Sequence, residues 1–189
     1  MNFPQRPFYF VRHGQTDWNL AGRMQGVSDI PLNQTGIDQA FAVAGKISDT
    51  AVTRLIVSPL LRALKTAAII AEARQLPMQV DSQLMERSFG SYEGQYTAEM
   101  RLKHNLPEDE SITKILPPDA EHWPQTLSRS HATIAKWLLS CPDDTLLFVG
   151  HAAFFRALYE SLGGPTTEAK NGKVYHFIPH AQGWQFVAL

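Results

Sequence analysis

Apolar residues along the chain fall into short runs separated by polar segments, several of which repeat at helical spacing. Residues 8–11, Phe-Tyr-Phe-Val, end abruptly at Arg12 and His13, the pattern of a strand buried on both faces. His13 then stands at the carboxyl end of that strand. From Thr35 to about Asp49, apolar residues recur at Ile37, Ala40, Phe41, Ala44 and Ile47, a stripe along one side of a helix. Residues 55–57 predict a second strand that stops at Ser58-Pro59. Serine is a strong N-cap and proline suits the first helical position, so a helix is expected from there to about Arg74. Residues 78–80 predict a third strand and 145–149 a fourth, followed by Gly150-His151 and a helix to about Leu162. Residues 174–178 and 184–188 read as a terminal hairpin around Gln182-Gly183. Strands alternating with helices imply an α/β fold, a three-layer α/β/α sandwich with a largely parallel central sheet.

Residues 95–122 break this alternation. They are polar, carry Pro107, Pro117 and Pro118, and include the acidic run Glu108-Asp109-Glu110, which predicts a lid-like insertion over the end of the sheet. No linker divides the chain, and 189 residues suit a single domain spanning 1–189.

Charge narrows the partners. With 17 Lys plus Arg against 18 Asp plus Glu, no bulk field draws the chain to nucleic acid or to an anionic membrane, so anion selectivity must reside in a local pocket. Cys141 is the lone cysteine, which rules out an internal disulfide and fits a reducing, cytoplasmic setting. Residues 1–7 contain Pro4 and Pro7 and no apolar core of a signal peptide. The longest apolar run, 146–155, is too short to span a bilayer and contains His151. His104, His122, His131, His176 and His180 lack metal-ligand spacing, so neither a metal nor another cofactor is expected. Nothing in the pattern indicates an oligomeric state.

In an open α/β sheet, ligands bind beyond the carboxyl ends of the strands. The first strand delivers Arg12 and His13 to that edge, the second leads through Ser58-Pro59 to Arg62, and the fourth delivers His151. Guanidinium forks match phosphate geometry, and helix amino termini add N–H donors, so the implied ligand is a phosphoryl group.

The stretch Val11-Arg12-His13-Gly14-Gln15-Thr16-Asp17-Trp18-Asn19 resembles the signature of the histidine phosphatase superfamily, the phosphoglycerate mutase-like proteins. Further blocks resemble the same family in order: Arg23-Met24-Gln25-Gly26, Asp29-Ile30-Pro31-Leu32 with Gly36 and Gln39-Ala40, Ser58-Pro59-Leu60-Leu61-Arg62-Ala63 with Thr66-Ala67, Leu84-Met85-Glu86-Arg87-Ser88-Phe89-Gly90 with Glu93-Gly94, and Gly150-His151. The resemblance implies a nucleophilic His13 that becomes phosphorylated, with Arg12, Arg62 and His151 stabilising the phosphoryl oxygens. It implies Glu86 as general acid, and Asn19 and Gln25 as secondary phosphate ligands. One nitrogen of His13 must be bare, so the other should donate to a fixed carbonyl or carboxylate.

The chain departs from the family pattern at three places. Ala152 stands where glycine is usual, which could re-aim its backbone N–H at the phosphate. Ala120-Glu121-His122 replaces a Gly-Glu-Ser block, and Tyr92 replaces a common tryptophan. The expected function is a metal-independent phosphohydrolase acting on a small phosphorylated metabolite. A phosphoglycerate mutase uses the same pocket but needs closing segments, for which only residues 95–122 and a short tail are available. A non-catalytic phospho-ligand binding domain should show a broken set of site residues, whereas His13, Arg12, Arg62, Glu86 and His151 are all present.

Overall fold

The computed structural model describes residues 3–189; Met1 and Asn2, part of the segment read above as lacking a signal peptide, lie outside the described residues. In chain order the elements are β1 (Phe8–Arg12), α1 (Asp17–Leu20), α2 (Gln34–Lys46), β2 (Arg54–Val57), α3 (Leu61–Arg74), β3 (Met78–Val80), α4 (Thr97–Lys103), α5 (Trp123–Ser140), β4 (Leu146–Gly150), α6 (Ala152–Ser161), β5 (Val174–His180) and β6 (Gly183–Ala188). The strands form one sheet in the order β3-β2-β4-β1-β5-β6. β1 to β4 are parallel, and β5 and β6 join as an antiparallel edge.

Two hydrophobic layers explain why β1, β2 and β4 are apolar at every position except the terminal Arg12 and Arg54. On one face Phe8, Phe10, Ile56 and Phe148 pack with Ile134 and Leu138 of α5 and with Phe154, Phe155 and Leu158 of α6. On the other, Val11, Leu55, Val57, Leu147 and Val149 pack with Val43 and Ala44 of α2 and with Ala63, Ala67 and Ile70 of α3. A strand covered on both faces cannot alternate apolar with polar residues. The fold is therefore the three-layer α/β/α sandwich expected from the pattern. Among the described residues, no helix is long and apolar enough to cross a membrane.

The structure corrects several local expectations. Ser58 does not cap α3, which begins at Leu61 with Leu60 at the cap position. The first N–H of α3 is instead satisfied from outside, by Asp29 Oδ1 at 2.6 Å from the Leu61 nitrogen. Phe41 lies on the solvent side of α2, 59% exposed, and Val43 takes its place in the core. Residues 95–122 are partly helical, with α4 and a 3-10 turn at Ile112–Ile115, and are tied back by backbone bonds from Met24 to Gln95 and from Thr97 to Gly22. The longest helix, α5, went unrecognised in the pattern because its buried stripe begins with Thr126, Ser130 and Thr133 before reaching Ile134 and Leu138.

Candidate active site

The register of the central strands brings the two histidines together. β1 and β4 pair in parallel with Arg12 opposite Gly150, so His13 and His151 emerge side by side at the carboxyl edge. His13 N–H donates to the Gly150 carbonyl (2.9 Å), and the two imidazole centroids are 5.2 Å apart. β2 pairs with β4 through Val57 opposite Val149, which sets Ser58 beside His151. A cleft of about 270 Å³ opens there, lined among others by Arg12, His13, Asn19, Gln25, Arg62, Glu86 and Ala152. All eight residues singled out from the sequence except His151 thus line one cleft, and His151 is buried directly behind it.

His13 is held by its own loop. Its Nδ1 lies 2.6 Å from the Gly14 carbonyl oxygen, which can only accept, so the proton resides on Nδ1 and Nε2 is the bare nitrogen. Gly14 N–H donates to Thr66 Oγ1 (3.0 Å) and Gln15 N–H to Gln39 Oε1 (2.8 Å), which pins the loop to α3 and α2. A Cβ on Gly14 would overlap the Gly36 carbonyl, and a Cβ on Gly36 would overlap the backbone of Gln15. The close crossing of the loop over α2 therefore requires glycine at both positions. Asn171 adds a clamp, its Nδ2 donating to the His13 carbonyl (2.9 Å) and to Asn19 Oδ1 (3.2 Å).

Arg62 is buried and Arg12 half-buried, and among the described residues neither forms an ion pair with a carboxylate. Arg62 is 1% exposed, and its terminal nitrogens donate to the carbonyls of Gly26 and Ser28, each at 2.7 Å. Glu93 orders that loop by accepting from the N–H groups of Val27 and Ser28. Arg12 Nη1 donates to the Ala169 carbonyl (2.8 Å). The Nε atoms of both arginines and Nδ1 of His151 are buried with no partner among the described residues. Burial lowers both guanidinium pKa values from the ordinary arginine range, with Glu86 opposing the shift in each case. Buried cations and orphaned N–H groups are costly unless paired. An anion in the cleft would supply such a partner.

Both histidines are held well below the ordinary histidine pKa, first by burial and then by the neighbouring guanidinium charges. They are neutral at pH 7. Nε2 of His151 is 2.7 Å from Ser58 Oγ. Thr16 donates to Gln25 Oε1 (3.0 Å), and Asn19 Oδ1 accepts from Asn171, so the two amide NH2 groups are the ends left for an anion.

Glu86 is 8% exposed and sits at the amino terminus of α6. Its Oε2 accepts from the Ala153 N–H and its Oε1 from the Phe154 N–H, each at 3.1 Å, and Oε1 also accepts from the Arg87 N–H at 3.0 Å. The helix terminus thus fixes the carboxyl group against the cleft wall. Ala152 occupies the first position of the same helix, and among the described residues the only non-glycine positions with positive φ are Gln75 and Asn105. Glycine's conformational freedom is not needed at 152, and the alanine leaves the backbone there unstrained.

Ser58, Thr66, Glu93 and Asn171 support the site, yet none was assigned a site role from the sequence. Thr66 and Glu93 stand inside the family-like blocks, but only their contacts show what they hold. Asn171 lies in a loop with no distinguishing pattern.

The model of the histidine phosphatase superfamily (branch 1) matches residues 8–189. The chain is 34% identical over 168 residues to the uncharacterized phosphatase PhoE of Bacillus subtilis (strain 168), covering 87% of this chain and 81% of that protein. It is 34% identical over 170 residues to the probable phosphoglycerate mutase GpmB of Yersinia pestis (strain Pestoides F), covering 86% and 77%. Its fold is similar to that of the mycobacterial glucosyl-3-phosphoglycerate phosphatase solved with VO3, with a TM-score of 0.82, 27% identity, and 96% and 97% of the two chains covered.

Proposed function

This chain belongs to the histidine phosphatase superfamily, and on that premise we propose that it hydrolyses a small phosphate monoester through a phosphohistidine on His13, without a metal ion. The observation that carries this reading is the set of unpartnered buried donors on Arg12, Arg62 and His151 around the bare Nε2 side of His13.

The steps follow from these positions. A phosphate dianion enters the cleft and accepts from Arg12, Arg62, His151 and the amide groups of Asn19 and Gln25. Neutral His13 attacks phosphorus through Nε2, and the ester oxygen departs in line. Its Nδ1–H bond to the Gly14 carbonyl stabilises the positive charge that the ring gains. Glu86 supplies the proton to the departing oxygen and then takes one from the water that attacks the phosphohistidine. The charge on the transferring group is neutralised by guanidinium groups, the role a divalent cation plays elsewhere.

A mutase reading draws on the Yersinia relative. Hydrolysis is favoured because residues 95–122 contribute only Thr97 and Ile112 to the cleft lining, and β6 lies in the sheet, paired to β5, away from the cleft. A mutase must exclude water while its intermediate reorients. The test offers 3-phosphoglycerate with and without 2,3-bisphosphoglycerate, in EDTA, and follows 2-phosphoglycerate and inorganic phosphate together. Phosphate release in EDTA supports the proposal. Isomer formation outpacing phosphate release, or a strict metal requirement, contradicts it.

A further inference from the structure

Asn171 lies in the loop between α6 and β5 and is not among the residues lining the cleft. Its Nδ2 nonetheless reaches three oxygens around the nucleophile: the His13 carbonyl (2.9 Å), Asn19 Oδ1 (3.2 Å) and, less closely, the Gly14 carbonyl (3.4 Å). Each of these can only accept, so the amide nitrogen, and not the amide oxygen, must face them. The loop carrying Asn171 is itself fixed. Ala169 is buried in the core, Lys170 N–H donates to the Tyr175 hydroxyl (2.8 Å), and Gly172 N–H donates to the Arg12 carbonyl (3.0 Å).

These contacts control two orientations. The peptide joining His13 to Gly14 is planar, with its C=O and N–H pointing opposite ways. Asn171 holds the C=O, and Thr66 Oγ1 accepts from the N–H (3.0 Å), so the plane is gripped from both sides. The next carbonyl in the chain is that of Gly14, which accepts from His13 Nδ1 (2.6 Å) and so decides which ring nitrogen is bare. The second orientation is that of Asn19. Its Oδ1 also accepts from the Thr16 N–H (3.2 Å), a contact within its own turn, and Asn171 supplies the donor from outside that turn. Both donors on the oxygen leave the NH2 end of Asn19 for the cleft that this residue lines.

We propose that Asn171 is a positioning residue for phosphoryl transfer: from behind the cleft it keeps Nε2 of His13 bare and aimed at phosphorus, and keeps the Asn19 amide ready to donate to the phosphoryl oxygens. The inference rests on the phosphatase reading of the cleft and adds a residue that never touches the substrate. The role needs a donor. A carboxylate in place of the amide would set a negative charge against three oxygens, and only its protonated form could donate to one of them. Because Asn171 acts through the nucleophile and a phosphoryl ligand, its removal should be blind to the leaving group.

The test uses the wild type, N171A, N171D, N19A and the N19A/N171A double variant, each checked for folding by thermal denaturation. Calorimetry gives the affinity for inorganic phosphate, and steady-state assays give kcat and KM for glycerol 3-phosphate and p-nitrophenyl phosphate between pH 5 and 8. N171A should lower kcat about tenfold or more on both esters alike, unlike a loss of the general acid. It should weaken phosphate binding about threefold to tenfold in the wild-type background and less than about twofold in the N19A background, because residues that act through one another are not additive. The activity of N171D relative to the wild type should be highest at the acid end of the range and fall as the new carboxyl group ionises. A folded N171A with wild-type kcat, equal weakening of phosphate binding in both backgrounds, or an N171D ratio that does not change with pH overturns the role. Should N171A fail to fold, the N171D ratio decides. A wild type that hydrolyses neither ester contradicts the phosphatase reading, while the phosphate-binding comparison still tests Asn171.

Discussion

Ser58 Oγ lies 2.7 Å from Nε2 of His151, joining residues 93 positions apart at the back of the cleft. This bond orients an imidazole whose other nitrogen has no partner among the described residues. Ser58→Ala should therefore leave a buried ring nitrogen unsatisfied. We expect a stability loss of about 1–3 kcal/mol and a kcat reduced about tenfold with KM nearly unchanged. Thermal denaturation and steady-state kinetics of one preparation check both, and Ser58→Thr should recover part of kcat. An unaltered kcat in Ser58→Ala would show that His151 needs no such orientation.

Glu86→Gln separates the acid role from the structural one. Glutamine offers one acceptor oxygen to three backbone N–H groups, so its amide nitrogen must face the donor on Ala153 or on Phe154 and Arg87. A stability loss of about 1–3 kcal/mol is expected for that reason alone. The kinetic signature is different. Hydrolysis of alkyl phosphates should fall about a hundredfold or more, and that of p-nitrophenyl phosphate, whose leaving group barely needs a proton, by much less. Equal losses on both substrates would move the proton donor elsewhere.

The buried histidines predict how stability depends on pH. His13 and His151 have folded pKa values well below the ordinary 6.5, so they stay neutral in the native state while the unfolded chain protonates them near 6.5. Their contribution is fully present above that value and is lost as pH falls from about 6.5 toward the folded pKa. Each adds a slope of about 1.4 kcal/mol per pH unit in that window. Urea denaturation between pH 5 and 7 should show stability rising with pH, and a His13→Gln variant should show a shallower slope. An identical slope in the variant would mean that His13 does not titrate differently on folding.

Legibility in the sequence followed burial. β1, β2 and β4 were readable because both faces are covered, which leaves continuous apolar runs ending at the chemistry. Parallel pairing then brought Arg12 and His13 to the level of His151. Ser58 misled the helix boundary because a local capping preference competes with a tertiary bond to His151 that sequence spacing does not reveal. α5 hid because hydroxyl side chains supply three of its five buried residues. Glu86 was found through family likeness alone: a glutamate is ordinarily a surface charge, and only the fold shows it closing the amino terminus of α6.

The most direct measurement of the central claim is a rapid quench of the enzyme during turnover of p-nitrophenyl phosphate, followed by mass analysis of the intact protein and its peptides. The quench is alkaline, because a phosphoramidate is stable in base and labile in acid. The account predicts one added phosphoryl group, on His13, that disappears on acid treatment and is absent from His13→Ala. Rapid turnover with no phosphorylated His13, or the phosphoryl group found on another residue, would contradict it.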